Sequence, residues 1–372
     1  MNSTPSEQMQ SLLDELTSDG TERGLQVAVY RDGQLWIDAW AGVADYASGR
    51  PVDGDTLFPV FSVTKGPAAT LAHLAVDRGL LDYDQPIAGV WPEFAANGKA
   101  GITLRQALNH SAGLPHLPPH IDFSELGDWD AMCAEMAKLA PAFPPGSRLE
   151  YHAITYSWLV SEPVRRVDGR SFQQMLQEEI AGPLGVKSDM FVGIPDEVES
   201  RVAVLEEPDP PVPTAADQPA SVPARLCPLH AFMNRPDMRR GCLPASSGIM
   251  TARAVAKHYA SLLPGGVDGV QLLSDERLRL ATAPQHLLNA QGEPAPWALG
   301  YQIYECYALE PGREVLPFGH GGYGGSAGFA DPTRGIAVGF TKNLFNKQET
   351  MARIWKLIAD AYRVDLLSVA GR

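Results

Sequence analysis

Leu57-Phe-Pro-Val-Phe-Ser-Val-Thr-Lys65-Gly-Pro-Ala-Ala-Thr-Leu-Ala-His-Leu-Ala-Val-Asp-Arg-Gly79 passes from an apolar, strand-like run at Leu57–Phe61 into an Ala- and Leu-rich segment. The segment Pro67–Arg78 predicts a helix, closed by Gly79 as its C-terminal glycine. Pro67 suits a first helical turn, where its missing N–H costs nothing. Ser62 and Lys65 therefore fall where a strand enters a helix. Residues three apart share a helical face, which points the Lys65 amine back at the Ser62 hydroxyl. An alcohol needs a base to become a nucleophile. Lysine serves as one only where burial or a cationic setting lowers its pKa. A helix N-terminus disfavours an ammonium and offers free N–H groups to an oxyanion. The plain alternative is an N-cap serine followed by a solvated lysine. Against it, this is the one S-x-x-K among only eight lysines.

Working outward, Leu25–Arg31 and Gln34–Ala41 read as strands joined across Asp32-Gly33, a type I′ hairpin signal. Leu12, Leu13 and Leu16 give an amphipathic N-terminal helix. Strand character returns at Leu299–Tyr304, Gly328–Ala330 and Ile336–Phe340, and Met351–Tyr362 has helical periodicity. Between about 80 and 290 the pattern is short helices broken by proline-rich loops. The largest loop, Glu207–Pro223, is read as a surface linker rather than a wall of the site. The expected fold is α+β, one antiparallel sheet built from both chain ends and flanked by helices. Residues 1–80 plus 290–372 would form the sheet domain and 81–289 a mostly helical inserted lobe. The active site is expected in the cleft between them.

Composition narrows the function. The chain has 372 residues, 45 % hydrophobic and 20 % charged, with a net charge of −14. That charge repels phosphate backbones, so nucleic acid is not an expected partner. No apolar stretch is long enough for a membrane span. Glu7, Asp14, Glu15 and Asp19 interrupt the first 20 residues, which do not read as a secretory signal, so the expected location is cytoplasmic. Cys133, Cys227, Cys242 and Cys306 lack metal or redox spacing and read as buried thiols. His110, His116 and His120 are separated by prolines and read as no metal site, with His110 anchoring a loop.

Phe61-Ser-Val-Thr-Lys65, Gly79-Leu-Leu-Asp-Tyr-Asp-Gln-Pro86 and Ile102-Thr-Leu-Arg-Gln-Ala-Leu-Asn-His-Ser-Ala-Gly-Leu114 together resemble the serine β-lactamase and penicillin-binding-protein superfamily, in its class C branch. The likeness runs from about residue 20 to 345. It implies a β-lactamase/transpeptidase-like fold. It also implies that Tyr151, in Tyr151-His152-Ala153, shares the proton with Lys65. A core tyrosine anchored by its hydroxyl is the alternative. By the same resemblance His320-Gly321-Gly322 lines the cleft for substrate, and the backbone N–H groups of Ser62 and Tyr323 form the oxyanion hole. Two of the motifs depart from the pattern. Ala153 replaces an asparagine that would grip a lactam amide, and His320-Gly321 replaces Lys-Thr, which would hold its carboxylate. The resemblance thus narrows to the carboxylesterases of this fold, family VIII, acting on short-chain esters without metal or cofactor. Alternatives are a β-lactamase or DD-peptidase-like amide hydrolase, an acyltransferase, and an inactive binding protein of the same fold. Gly324-Gly325-Ser326-Ala327-Gly328 satisfies G-x-S-x-G, but all nine histidines precede Ser326, against the order an α/β-hydrolase needs.

Overall fold

The computed structural model describes residues 3–121, 125–207, 222–223, 226–304, 316–345 and 350–362. Among these residues, ten strands form two sheets. The large one contains β1 (Gly24–Arg31), β2 (Gln34–Asp45), β3 (Arg50–Pro51), β7 (Gln302–Ile303), β8 (Phe318–Gly321), β9 (Ala327–Asp331) and β10 (Ile336–Lys342). Its order is β3-β2-β1-β10-β9-β8-β7, and every pairing is antiparallel. The expected α+β architecture therefore holds, with first and last strands paired at the centre, Val27 opposite Phe340. Asp32 and Gly33 both take positive φ (49° and 74°), as a type I′ turn requires.

β1 and β10 are covered on both faces, and their period-2 alternation sorts the side chains. Val27, Val29, Val338 and Phe340 pack with Met9, Leu13 and Leu16 of helix Pro5–Ser18 and Ile354 and Ile358 of helix Thr350–Tyr362. A capping box between Thr4 and Glu7 starts the first of these helices. Ala28, Tyr30 and Ala337 face the other way, into the main core with Val255 and Tyr259. These last two belong to helix Ala252–Ala260, which lies on the large sheet although it falls within residues 81–289. A Cβ on Gly339 would stand 2.1 Å from the Ala252 carbonyl oxygen, so glycine sets how closely helix and sheet approach.

Three short strands, β4 (Phe58–Phe61), β5 (Met190–Val192) and β6 (Gly248–Met250), form the second sheet in the order β4-β6-β5. Two of these strands interrupt a stretch expected to be helices and loops. The strand expected over Leu299–Tyr304 shrinks to Gln302–Ile303, because Gly300 takes φ 82° and turns the chain. Helix Lys65–Asp77 runs through the middle of the core with ten of its thirteen residues buried, so little of its surface faces water. Its polar groups are matched inside: Thr70 Oγ1 meets His258 Nε2 at 3.0 Å and Tyr301 Oη at 2.9 Å, and His73 meets Tyr83 Oη at 2.8 Å.

Candidate active site

β4 delivers the chain to Ser62 through an unusual backbone. Phe61 has φ 48° and ψ −127°, a conformation that costs on the order of 1–3 kcal/mol and persists only where its surroundings enforce it. Thr64 enforces it here. Its hydroxyl donates to the Phe61 carbonyl and accepts the Gly248 N–H at 2.8 Å. Ser62–Thr64 form a single 3-10 turn and the α-helix begins at Lys65. The two side chains meet across that junction rather than along one α-helical face.

Lys65 is fully buried. Its Nζ lies 3.2 Å from Ser62 Oγ, 2.8 Å from the Ala153 carbonyl oxygen and 2.9 Å from the Ala245 carbonyl oxygen. Burial holds the amine well below its ordinary pKa of 10.5. A neutral amine has two N–H donors and one lone pair. The two carbonyls take the donors, which leaves the lone pair for the Ser62 proton. Ala245 is itself placed by Ser157, whose Oγ accepts its N–H at 3.0 Å.

Tyr151 Oη lies 2.8 Å from Ser62 Oγ. Burial pushes its phenol above the ordinary value of 10, opposed by the hydrogen bond to Ser62, so the hydroxyl keeps its proton. The ring is boxed by His110, Trp297 and His320, with centroids 4.8, 5.5 and 6.1 Å away. His110 does anchor its loop, its Nδ1 accepting the His152 N–H at 3.2 Å. His320 Nδ1 sits 2.6 Å from the Gly321 carbonyl oxygen, an acceptor, which assigns the ring proton to Nδ1. Burial lowers the His320 imidazole to about 3, and the Gly321 hydrogen bond opposes this. His320 is therefore neutral at physiological pH.

Ser62 and Tyr151 open onto a cavity of about 290 Å³. Phe61, Ile154, Leu226, Leu229 and Phe232 give it an apolar wall, and none of its described lining residues is charged. His320, Gly321, Gly322 and Tyr323 line the same space. A Cβ on Gly322 would stand 2.2 Å from the Val60 carbonyl oxygen, so this glycine lets the end of β8 press against β4. Ser62 and Tyr323 each open a 3-10 turn, Ser62–Thr64 and Tyr323–Gly325, so their N–H groups precede each turn's own hydrogen bonds.

A family model described as Beta-lactamase matches residues 9–363. The chain belongs to the beta-lactamase family. It is 34% identical over 342 residues to the esterase/beta-lactamase LipL of Mycobacterium tuberculosis, covering 86% of this chain and 77% of LipL. A family VIII carboxylesterase crystal structure superposes with TM-score 0.85 at 28% identity, over 97% of this chain and 98% of that one. A penicillin-binding-protein homologue from Caulobacter crescentus gives TM-score 0.81 at 34% identity, over 96% and 97% of the two chains. This beta-lactamase-family chain is thus a hydrolase of the esterase/beta-lactamase group with a β-lactamase/transpeptidase-like fold.

Several details differ from the sequence reading or were absent from it. Cys133 and Cys242 are buried, but Cys227 is only half-buried because it stands in the cavity wall; Cys306 lies outside the described residues. Most of the Glu207–Pro223 loop also lies outside them, while Val222 lines the cavity. Ser326 closes the turn after Tyr323–Gly325 and leads into β9, a strand rather than the helix of a nucleophile elbow. His116 and His120 turn to different carboxylates, Glu150 at 3.8 Å and Glu135 at 3.0 Å. Ala245, Trp297 and the Leu226–Phe232 wall carried no local sequence signal. Among the described residues no helix is long and apolar enough to cross a membrane.

Proposed function

We propose that this chain is a serine carboxylesterase that hydrolyses uncharged, short-chain esters through an acyl-enzyme on Ser62. Lys65 takes the Ser62 proton as Oγ attacks the ester carbonyl carbon. The tetrahedral oxyanion rests on the N–H groups of Ser62 and Tyr323. As the intermediate collapses, Tyr151 gives its proton to the leaving alkoxide and recovers one from Lys65. Water then attacks the acyl-enzyme carbonyl, its proton passing to the same pair, and Ser62 regains a proton as the acid departs. His320, Gly321 and Gly322 lie alongside the bound ester.

One observation carries this reading: Ser62 Oγ lies between the Lys65 amine at 3.2 Å and the Tyr151 hydroxyl at 2.8 Å, beneath a cavity whose described lining residues are all uncharged. The amine, kept neutral by burial, is the better base of the two, since the phenol is pushed the other way. The neutral His320 offers no cation to a carboxylate, and Ala153 offers no side-chain amide to a lactam. The test compares wild type with Ser62→Ala on p-nitrophenyl acetate and on a chromogenic cephalosporin. Ester turnover well above lactam turnover, both lost in the variant, is expected. Efficient lactam cleavage would reassign the chain to amide hydrolysis. An active Ser62→Ala enzyme would overturn the mechanism.

A further inference from the structure

Glu207 stands outside the reacting groups, yet it touches both sides of the cavity they occupy. Its Oε1 accepts the Tyr323 hydroxyl at 3.2 Å. Its Oε2 lies 2.7 Å from His230 Nδ1. Tyr323 opens the turn Tyr323–Gly325 and lines the cavity, and its ring leans on Phe61 at 5.8 Å. His230 belongs to the short helix Leu229–Met233, of which Leu229 and Phe232 wall the cavity. The carboxylate has a fixed base. The Glu206 N–H donates to the Asn343 carbonyl at 2.8 Å, and the Phe345 N–H donates to the Glu206 carbonyl at 2.7 Å, which ties this segment to the end of β10. The Glu207 side chain is only 10% exposed, so its charge needs partners, and these are what hold it.

We infer that Glu207 is a positioning residue, a brace that fixes the Tyr323 turn and the Leu229–Met233 wall relative to one another. This inference rests on the esterase reading of the site. On that reading the turn supplies half of the oxyanion hole and the wall receives the apolar part of the ester. One carboxylate therefore governs two kinetic quantities. Loosening the turn weakens an interaction made only in the transition state and lowers kcat. Loosening the wall weakens ground-state binding and raises KM, most for an acyl chain long enough to reach Leu229 and Phe232.

The test measures kcat and KM on p-nitrophenyl acetate and p-nitrophenyl hexanoate for wild type, Glu207→Ala, Glu207→Gln, Tyr323→Phe and His230→Gln. Glu207→Ala should lower kcat about tenfold on both esters and raise KM about tenfold on the hexanoate alone, the loss of one charge-assisted hydrogen bond on each side. Tyr323→Phe should reproduce mainly the kcat loss and His230→Gln mainly the KM rise. Glutamine keeps an acceptor for Tyr323 and an amide for His230, so Glu207→Gln should recover most of both. The rate at which a fluorophosphonate labels Ser62 is followed in the same variants and needs no ester turnover. Turnover by wild type and its loss in Ser62→Ala test the esterase reading separately. Unchanged constants and labelling in Glu207→Ala would overturn the inference. So would an equal loss on both esters that glutamine does not rescue, which marks a fold-wide effect.

Discussion

Replacing Lys65 by methionine tests the central feature of the site, a lysine kept uncharged by burial. In the folded chain its amine titrates well below 10.5, with burial as the cause. In the unfolded chain it titrates near its ordinary value of about 10.4. Between those two points the unfolded chain holds a proton that the folded chain lacks. Raising the pH through this window therefore favours folding, by about 1.4 kcal/mol per pH unit at most. The gain is complete once the pH passes the unfolded value, and it is absent below the folded one. Methionine has a similar length and no proton to exchange, so the variant lacks the slope. It also leaves the Ala153 and Ala245 carbonyls without their donor, a cost that does not vary with pH and cancels from the slope. From about pH 7.5 to about pH 9.5 the wild type should gain stability relative to Lys65→Met as the pH rises, with no slope of this kind in the variant. For 372 residues, at about 2.1 cal/mol/K of unfolding entropy per residue, the ceiling of about 1.4 kcal/mol per pH unit corresponds to at most about 2 °C of relative Tm per pH unit. Urea unfolding of both proteins at several pH values in this range measures it. A stability difference that stays constant across the range would mean that the folded-state amine keeps its charge there, and the neutral-base argument would be refuted.

Two further substitutions probe different links. Tyr151→Phe removes the proton donor 2.8 Å from Ser62 Oγ while keeping the ring packed against His110 and Trp297; kcat on an ester with a poor leaving group should fall by about 10²–10⁴, with the circular dichroism spectrum intact. Gly339→Ala puts a methyl within 2.1 Å of the Ala252 carbonyl oxygen and 2.7 Å of the Ala256 nitrogen, so it should cost on the order of 1–3 kcal/mol in denaturant unfolding, with turnover per folded molecule retained.

The legible parts of the chain were those whose signal is local. Asp32-Gly33 specifies its turn within two residues, and the apolar strands around it need only alternate. Ser62 and Lys65 are legible because a three-residue spacing fixes their contact, and Tyr151 because the family motif brings it. What suits Lys65 to the proposed role of base was not legible. The carbonyls that take its protons belong to Ala153 and Ala245, 88 and 180 positions away, and backbone acceptors leave no mark on residue type. Two strands of the small sheet, β5 and β6, escaped for a related reason: three residues are too short to show a period, whereas β4 is the strand-like run already legible at Leu57–Phe61. Cysteine is usually buried, so residue type alone misplaces Cys227, whose half-buried position comes from lining the cavity alongside His320 and Gly321. Glu207 sits at the edge of a proline-rich loop whose composition says linker, and only three-dimensional placement brings it to Tyr323 and His230.

The same arrangement explains why the esterase reading and the loss of the lactam-type motifs belong together. An anionic substrate entering this cavity would shed its hydration without meeting a cation among the described lining residues, an unfavourable exchange in an apolar enclosure. Lys65 is the one basic side chain in hydrogen-bond contact with Ser62 among the described residues, and it can act as base or as counter-ion, not as both. If a substrate carboxylate drew a proton onto it, the lone pair needed by the Ser62 hydroxyl would be gone. His320 supplies no relief, since burial keeps its imidazole neutral. A neutral ester avoids the conflict. It asks of the site only a nucleophile, two N–H donors and a proton for an alcohol, and each has a candidate here in Ser62, in the backbone of Ser62 and Tyr323, and in Tyr151. On the proposed mechanism, selectivity for uncharged esters follows from the same burial that suits the lysine to act as a base, and a substitution that admits water or a new charge beside Lys65 should weaken catalysis and selectivity together.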